Sequence, residues 1–329
     1  MKTDLAQIVN RVRNHEGLLR KQPIANVFDK LVLHGQAGPQ LPNFGDDAAV
    51  IPWKEGFLLL AADGMMTRLL INEPYAAGKA SVMVTVNDIY SMGGRPLAMV
   101  NVLASGDEDH RAKVVEGIRK GCEKLKVPMV GGHLHPDAPG SSPSLAVAIL
   151  GHANKLLRSH LAEKGDDIIL AVDLKGDKGC SSVVSWDANS GKTPEELLHR
   201  LETLPLIAER ELAKAAKDVS NAGILGTLSI MMENSGKGAI IELPSIPKPG
   251  EIELPDWLVC FQSFGFVLSV PSKRSDSVIS LFKGRDITAS VIGKVTSEPT
   301  VILTNGMESK GLFDFRKDKI TGIVYRPND

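Results

Sequence analysis

The chain alternates short apolar runs with longer segments in which apolar residues recur every three or four positions. The short runs predict strands, and the helical spacing predicts amphipathic helices. The predicted strands span residues 57–62, 97–103, 128–130, 144–152, 168–172, 239–243, 265–270, 289–292 and 301–303. The predicted helices span residues 73–92, 109–125, 194–204, 206–216 and 224–234, after two short helices within the first 35 residues. A glycine- and proline-rich loop is predicted at residues 35–42. This order of elements predicts a mixed fold of the α+β or the α/β class.

Length and composition indicate a globular protein of two domains. A single core rarely exceeds roughly 300 residues, so 329 residues predict two units, which we place at residues 1–153 and 154–329. A hydrophobic content of 43% excludes disorder, and a net charge of -1 provides no basic field for nucleic acid. The apolar runs are too short for a membrane span, and the N-terminus lacks a signal-peptide pattern. We therefore expect a cytoplasmic protein without nucleic-acid or membrane partners.

Common nucleotide and metal motifs are broken or missing. Residues 190–193 read Ser-Gly-Lys-Thr, the end of a phosphate-binding loop, but Trp186 stands where the leading glycine belongs. The three cysteines are far apart and have no zinc-finger spacing. No dinucleotide fingerprint, zinc-protease motif or nucleophile elbow occurs. The sequence thus gives no support for dehydrogenase or hydrolase chemistry.

Acidic residues stand instead at loop or element ends, next to glycines. Single aspartates at such places are usually turn or cap residues. If several converge, their mutual repulsion requires a cation, and Mg²⁺ bound to a nucleotide triphosphate suits such a set. The nearby glycines would let backbone N–H groups approach phosphates. The acidic residues are Asp46, Asp47, Asp63, Asp88 and Asp218, and the glycines are Gly45, Gly64, Gly93, Gly94, Gly131 and Gly132.

Five motifs in fixed order carry a family resemblance. They are Gly-Asp-Asp-Ala-Ala-Val at residues 45–50, Ala-Asp-Gly at 62–64, Asn-Asp-Ile-Tyr-Ser-Met-Gly-Gly-Arg-Pro at 87–96, Gly-Gly-His at 131–133 and Asp-Val-Ser-Asn-Ala-Gly at 218–223. The set resembles the superfamily of aminoimidazole ribonucleotide (AIR) synthetase, thiamine-monophosphate kinase, selenophosphate synthetase, the hydrogenase maturation dehydratase and formylglycinamidine synthetase. The sequences at residues 61–65 and 99–103 look closest to those of the AIR-synthase-related branch that includes the methanogenesis-marker-type proteins.

The resemblance implies a homodimer whose N-terminal halves join strands into a barrel, with ATP in a cleft between the two halves of each chain. It implies Mg²⁺ ligands at Asp47, Asp63, Asp88 and Asp218, with Asp46 alongside. Contacts to the nucleotide are implied for Gly45, Asp46, Gly64, Gly131, Gly132, Ser220 and Asn221. Catalysis would depend on Asp47, Asp63, Asp88 and His133, and the phosphoryl group would pass to a small-molecule acceptor.

Departures from the family patterns narrow the activity. Thiamine-monophosphate kinases typically read Gly-Gly-Asp where this chain has Gly132-His133, and Asp-x-Ser-Asp-Gly where it has Asp-Val-Ser-Asn-Ala at residues 218–222, so two carboxylates are missing. Selenophosphate synthetase needs a reactive cysteine or selenocysteine near its N-terminus, but no cysteine precedes Cys122. The hydrogenase dehydratase has a C-terminal cysteine, which this chain lacks. A thiamine-monophosphate kinase and a non-catalytic nucleotide-binding regulator remain the alternatives to an ATP-dependent phosphotransferase or activating enzyme.

Three smaller features stay open at the sequence level. His133 and His135 could contact phosphate or substrate, bind a metal or be structural. The apolar residues Met65, Met66, Leu69 and Leu70 follow Asp63 and could line an acceptor pocket or belong to the core. The basic residues Arg11, Arg13, Arg20 and Lys21 are interpreted as the solvated face of the first helices.

Overall fold

The structure is a computed structural model that describes residues 4–31, 45–139 and 142–325. The predicted loop at residues 35–42 and the C-terminal residues 326–329 lie outside the described residues. The helices are α1 (Leu5–Arg13), α2 (Glu16–Leu19), α3 (Ile24–Leu31), α4 (Thr67–Asn72), α5 (Pro74–Ser91), α6 (Glu108–Leu125), α7 (Pro194–Leu201), α8 (Thr203–Glu209), α9 (Gly223–Asn234), α10 (Leu254–Leu258) and α11 (Ser275–Lys283).

The strands alternate with these helices along both halves of the chain. They are β1 (Ala49–Trp53), β2 (Gly56–Gly64), β3 (Arg95–Ala104), β4 (Met129–His135), β5 (Ser144–Ala153), β6 (Asp167–Val172), β7 (Asp177–Lys178), β8 (Ser185–Asp187), β9 (Ala215–Asp218), β10 (Gly238–Glu242), β11 (Phe261–Gln262), β12 (Gly265–Val270), β13 (Thr288–Thr296), β14 (Thr300–Thr304) and β15 (Ser309–Asp314). Of the two predicted classes, α+β is confirmed.

The first half forms a five-stranded sheet with the order β1-β2-β5-β3-β4. Among the strands that the structure describes in this sheet, only β3 and β4 pair in parallel, because α6 carries the chain across between them. Along β5, buried residues alternate with partly exposed ones, so one face of the sheet is covered. Helix α5 packs on the strands β2 and β5. The other face keeps exposed apolar side chains, among them Trp53, Leu60, Val100 and Val102.

Helices α5 and α6 approach each other closely through two glycines. A Cβ atom added at Gly78 would lie 2.1 Å from the carbonyl oxygen of Val114, and one at Gly117 would lie 2.1 Å from that of Tyr75. A larger residue at either place would push the backbones apart. These contacts fix α5, which carries Asp88 in its last turn.

The second half forms a seven-stranded sheet with the order β15-β14-β10-β13-β6-β12-β9. Its central strands β6 and β12 are buried along their whole length, and so is every residue of α9. Strand β9 lies at one edge and ends at Asp218. A small third sheet, β11-β8-β7, covers part of the space between the halves.

The N-terminal helices pack on the second half, although they precede the first. Helix α1 contacts β15 and α10. Arg13 donates to Asp318 and to the carbonyl oxygen of Leu312, and the N–H of Ala25 donates to the carbonyl oxygen of Thr321. The predicted two short helices are three, because Gly17 lies inside the additional helix α2 and does not end one.

The two largest differences from the predicted boundaries concern the helix predicted at residues 206–216, which ends at Glu209, and the strand predicted at residues 128–130. Residues 215 and 216 belong to β9 and not to a helix, because this alanine-rich segment is buried as a sheet edge against β12. The strand predicted at residues 128–130 continues to His135, because residues 100–104 of β3 offer hydrogen-bonding partners along the whole stretch. No helix in the described part of the chain is long and apolar enough to cross a membrane.

Candidate functional site

Three aspartates from different elements meet between the two halves. Asp47 precedes β1, Asp88 lies in the last turn of α5, and Asp218 ends β9. One carboxylate oxygen from each lies within 4.8 Å of the others. We call Asp47, Asp88 and Asp218 the carboxylate cluster. The structure therefore brings together residues separated by most of the chain.

Polar neighbours orient Asp47. The hydroxyl of Ser91 donates to Asp47 Oδ2 over 2.7 Å, and the backbone N–H of Asp218 donates to the same oxygen over 3.3 Å. The ammonium group of Lys217 donates to Asp47 Oδ1. Asp47 is thus held by α5 and β9, the two elements that carry the other carboxylates.

The cluster holds protons more tightly than isolated carboxylates do. Burial raises the pKa of Asp218 to about 8, and the charge of Asp47 adds to the effect. Burial also raises the pKa of Asp88 well above its ordinary value, with further contributions from Asp63, Asp218 and Asp47. Burial alone would lower the pKa of Lys217, but the charges of Asp47 and Asp218 raise it overall. Full ionisation of the three carboxylates would therefore create more negative charge than Lys217 compensates, so the cluster retains protons.

Asp63 lies beside the cluster and not in it. It is near the end of β2, where it remains exposed, and it lines a cleft that continues away from the cluster. The surrounding protein raises the pKa of Asp63 by desolvation, and the charge of Asp47 raises it further. Asp63 therefore acts on the carboxylate cluster electrostatically, from the edge of the site.

Asp46 has a different environment from its neighbour Asp47. Its side chain is 1% exposed. Oδ1 accepts hydrogen bonds from the N–H and the hydroxyl of Ser159 at 2.7 and 2.8 Å, and Oδ2 accepts one from Arg158 Nε at 2.5 Å. Although burial would raise the pKa of Asp46, His160 and Arg158 lower it to about 2. Its carboxylate thus faces the segment after β5, away from the carboxylate cluster.

Gly45 fixes the loop in front of these two aspartates. Its φ of 103° favours glycine, and its carbonyl oxygen accepts a 2.8 Å hydrogen bond from Asn234 Nδ2. Gly64 ends β2 and lines the cleft, where an added Cβ would meet nothing within 4 Å. Ser220 and Asn221 form the turn directly after Asp218, and Asn221 also lines the cleft.

The segment 131–133 lies elsewhere on the five-stranded sheet. Gly131, Gly132 and His133 are exposed residues inside β4, at the edge of the sheet. His133 pairs with Val102 in register, and its ring lies 4.6 Å from that of His135. Within the described residues of one chain, neither histidine joins the carboxylate cluster.

Sequence reasoning missed two lysines. Lys217 is buried against Asp47, and Lys21 follows α2 in a half-buried position. Burial and the charge of Lys217 lower the pKa of Lys21, while the charges of Asp218, Asp63 and Asp47 oppose this shift. The signal for Lys217 was its position beside Asp218 in an otherwise apolar strand. Lys21 gave no such signal, since it follows Arg20 on what resembled a solvated face.

The turn after Asp218 also receives the N-terminal segment. His15 Nε2 lies 2.8 Å from the carbonyl oxygen of Asn221. A Cβ atom added at Gly17 would lie 2.0 Å from the same oxygen. Helix α2 is therefore seated directly on the Asp218 loop, and this seat brings Lys21 to the site.

Comparison with known proteins identifies the family. Residues 45–153 match the AIR synthase related protein, N-terminal domain, and residues 163–304 match the AIR synthase related protein, C-terminal domain. This chain belongs to the AIR synthase related family. An uncharacterized protein of Methanocaldococcus jannaschii is 38% identical to this AIR synthase related protein, over 97% of the chain and 99% of the relative. The resemblance inferred from the motifs is thereby confirmed.

More distant relatives carry names of activities. The phosphoribosylformylglycinamidine synthase subunit PurL of Methanosarcina mazei is 27% identical over 90% of this chain, which spans 46% of that relative. The selenide, water dikinase of Colwellia psychrerythraea is 29% identical over 62% of this chain and 60% of its own length. The solved structure of T. maritima PurL complexed with ATP has a TM-score of 0.71 at 19% identity, covering 86% of this chain and 48% of that one. This last likeness concerns the fold alone.

The carboxylate cluster has the donor set that a hard divalent cation requires. Mg²⁺ is bound by oxygen ligands, usually one or two carboxylates with waters and phosphate oxygens. The three oxygens within 4.8 Å and the raised pKa values of Asp88 and Asp218 both fit a place where additional positive charge would be stabilising.

Proposed function

We propose that this AIR synthase related protein is an ATP- and Mg²⁺-dependent phosphotransferase or ATP-activating enzyme. The single observation that carries the proposal is the convergence of Asp47, Asp88 and Asp218 at the junction of the two halves. The family membership supports it, because relatives include proteins named as a dikinase and as PurL. We keep the division into domains 1–153 and 154–329 as part of the proposal.

In this proposal, Mg²⁺ would be held by Asp47, Asp88 and Asp218, with Asp63 near the rim, and would neutralise charge on the transferring phosphoryl group. Ser91 and Lys217 keep Asp47 oriented. The ammonium group of Lys21 interacts electrostatically with the same carboxylates and would bind a polyphosphate there. We assign Asp46 the role of fixing the Gly45–Asp47 loop, in place of a metal ligand.

Nucleotide binding by calorimetry tests the proposal. We expect the wild type to bind ATP with Mg²⁺ and the Asp88→Asn variant to lose at least about a hundredfold in affinity, because one of few ligands is removed and tuning a metal site typically changes affinity by such factors. Asp137→Asn is the matched control, since Asp137 is an exposed acid on the loop after β4. Absence of ATP affinity in the wild type, with and without Mg²⁺, would reject the proposal.

We further propose that the open face of the five-stranded sheet pairs with a second copy of the chain. The support is its row of exposed apolar side chains, including Trp53, Leu60, Val100 and Val102, because contiguous apolar patches of this kind mark interfaces. In such a homodimer, Gly131, Gly132 and His133 of β4 would lie at the interface edge, where a nucleotide bound by the other copy could be reached. Ser220 and Asn221 would approach the phosphates within the same chain.

Mass measurement by light scattering tests the pairing. We expect a dimer for the wild type and a monomer for Val100→Glu, because a buried unpaired carboxylate at the centre of the face is strongly unfavourable. Val27→Glu serves as control, since Val27 is comparably exposed but lies on α3. A wild-type monomer, or a Val100→Glu variant that remains dimeric, would contradict this arrangement.

A further inference from the structure

A cleft between the two halves lies beside the carboxylate cluster. Asp63, Gly64 and Asn221 line the end that adjoins the cluster. The cavity volume is about 350 Å³, within the range of sites for small molecules. Helices α4, α5 and α6 form one wall, and the small sheet β11-β8-β7 with its loops forms the other.

The walls of the cleft are mainly apolar. Met65, Met66 and Met83 are half-buried and contribute flexible side chains from the first half. Phe261 and the buried Trp186 contribute aromatic surface from the second half. Methionine adapts to differently shaped apolar partners, so this lining suits a compact apolar body better than a sugar or an extended polar chain.

Loops of the second half close the far end. Lys79 Nζ donates to Ser190 Oγ over 2.5 Å, and Lys124 Nζ donates to the carbonyl oxygen of Ser190 over 2.7 Å. Glu73 accepts hydrogen bonds from Ser181 and Ser182. These polar groups at the far end are thus hydrogen-bonded to one another across the cleft. Polar recognition of a ligand therefore depends on groups on the floor of the cleft.

One hydrogen-bond acceptor on the floor has no partner among the described residues. Asn189 lines the cleft and is 9% exposed. Its Nδ2 group donates to the carbonyl oxygen of Ser263 over 3.2 Å, but its buried Oδ1 atom accepts no hydrogen bond from any residue that the structure describes. A buried acceptor without a donor is destabilising, so this atom favours a ligand that brings an N–H or O–H group.

The same floor leads to the carboxylate cluster. Asn87 Nδ2 donates to the carbonyl oxygen of Ser263 over 3.1 Å, so Asn87 and Asn189 meet on one atom. Asn87 directly precedes Asp88 on α5. A molecule bonded to Asn189 therefore lies next to the helix end that carries a cluster carboxylate.

We propose that the cleft binds the acceptor of the reaction, a small molecule with an apolar body and an N–H or O–H donor that Asn189 Oδ1 accepts. The apolar body packs among Met65, Met66 and Met83, and the group that reacts points towards Asp63 and Asn221. That the bound molecule accepts a phosphoryl group rests on the proposed function. Its recognition by the cleft does not depend on ATP.

Methyl NMR with matched probes tests the recognition. The probe pairs are indole with 1-methylindole and 2-naphthol with 2-methoxynaphthalene, which differ in the donor and share the apolar body. In protein with ¹³C-methyl methionine, we expect indole and 2-naphthol to shift the signals of Met65, Met66 and Met83 but not that of the exposed Met307. Each donor probe should bind about fivefold or more tightly than its methylated partner, as one neutral hydrogen bond predicts.

Two variants separate recognition from simple apolar binding. Asn189→Leu should bind both members of each pair with nearly equal affinity, and Asn154→Leu, which changes an exposed asparagine, should keep the preference. Equal affinities in the wild type, or shifts outside the cleft, would overturn the proposal without needing any variant. Displacement of 2-naphthol by ATP alone would place the nucleotide base in the cleft and would also overturn it. If the probes fail while ATP and Mg²⁺ bind, the acceptor assignment fails and the proposed function stands.

Discussion

Replacing Asp218 by asparagine should stabilise the metal-free protein while it removes function. The buried carboxyl of Asp218 has a pKa of about 8 in the folded protein, compared with an ordinary value of 3.8. Between these two values the folded protein holds a proton that the unfolded chain has already released. Stability contributed by this group is therefore complete below the ordinary pKa and declines as pH rises towards 8.

The size of the effect follows from the distance between the two values. A pH of 7 is about three units above the pKa that Asp218 has in the unfolded chain. At about 1.4 kcal/mol per unit, the group lowers the free energy of unfolding by about 4 kcal/mol. Asparagine has a similar shape and no proton to release. Asp88 interacts with the same charges, so its own ionisation changes when Asp218 is replaced and the effect is not that of one isolated group. We therefore expect Asp218→Asn to raise the free energy of unfolding by about 2–4 kcal/mol at pH 7.

Urea unfolding in EDTA, followed from pH 5 to pH 9, measures this difference. The gain should grow with pH up to about 8 and then level off. In Mg²⁺ and ATP at a hundred times the wild-type Kd, the gain of the variant should shrink by about 2.7 kcal/mol, because the ligand stabilises the wild type by that amount and the variant binds little. Asp137→Asn, the exposed control, should change stability by less than about 0.5 kcal/mol. A variant that is less stable than the wild type in EDTA at every pH would refute the reasoning.

Further outcomes follow from other contacts. Gly17→Ala should lose about 1–3 kcal/mol of stability in urea unfolding, because its Cβ would lie 2.0 Å from the carbonyl oxygen of Asn221. Gly191→Ala is the neutral control, since a Cβ added there has no described atom within 4 Å. Asp46→Asn should lose about 3–5 kcal/mol because it breaks a buried ion pair with Arg158; a loss under about 1 kcal/mol would mean that the pair is solvated. In the wild type, the contribution of Asp46 should be lost as pH falls from 3.8 towards 2. Lys21→Met should weaken ATP binding in calorimetry at least about fivefold, whereas Lys30→Met, at an exposed position, should leave it unchanged; equal affinities would remove Lys21 from the site.

Most of the fold could be predicted because its strongest patterns are local. The apolar face predicts α5 and a continuous apolar run predicts β5, and the boundaries of both differ from the predictions by one residue. Residues 215 and 216 were wrongly predicted as helical because alanine favours helices intrinsically, whereas β9 gains its stability from pairing with β12, which is distant in sequence. Periodicity cannot report such a pairing.

The candidate site shows the same division between local and distant information. Asp47, Asp88 and Asp218 stand in recognisable motifs, but only the family resemblance suggested that they converge. The separation of Asp46 from Asp47 could not be predicted, because it depends on Ser159 and Arg158 after β5. Lys21 was hidden because its role depends on α2 being seated on the loop of Asn221.

The end of α5 lacks the cation that helices normally prefer there. Its last turn contains Asp88 and no basic residue, so the negative end of the helix dipole faces a carboxylate. A divalent ion bound by Asp88 would act as the missing C-terminal cap, and loading the site would tighten the turn that passes through Gly93 into β3. Slower amide exchange at residues 90–94 on addition of Mg²⁺ would report this coupling, so the backbone of the helix can serve as a gauge of metal occupancy.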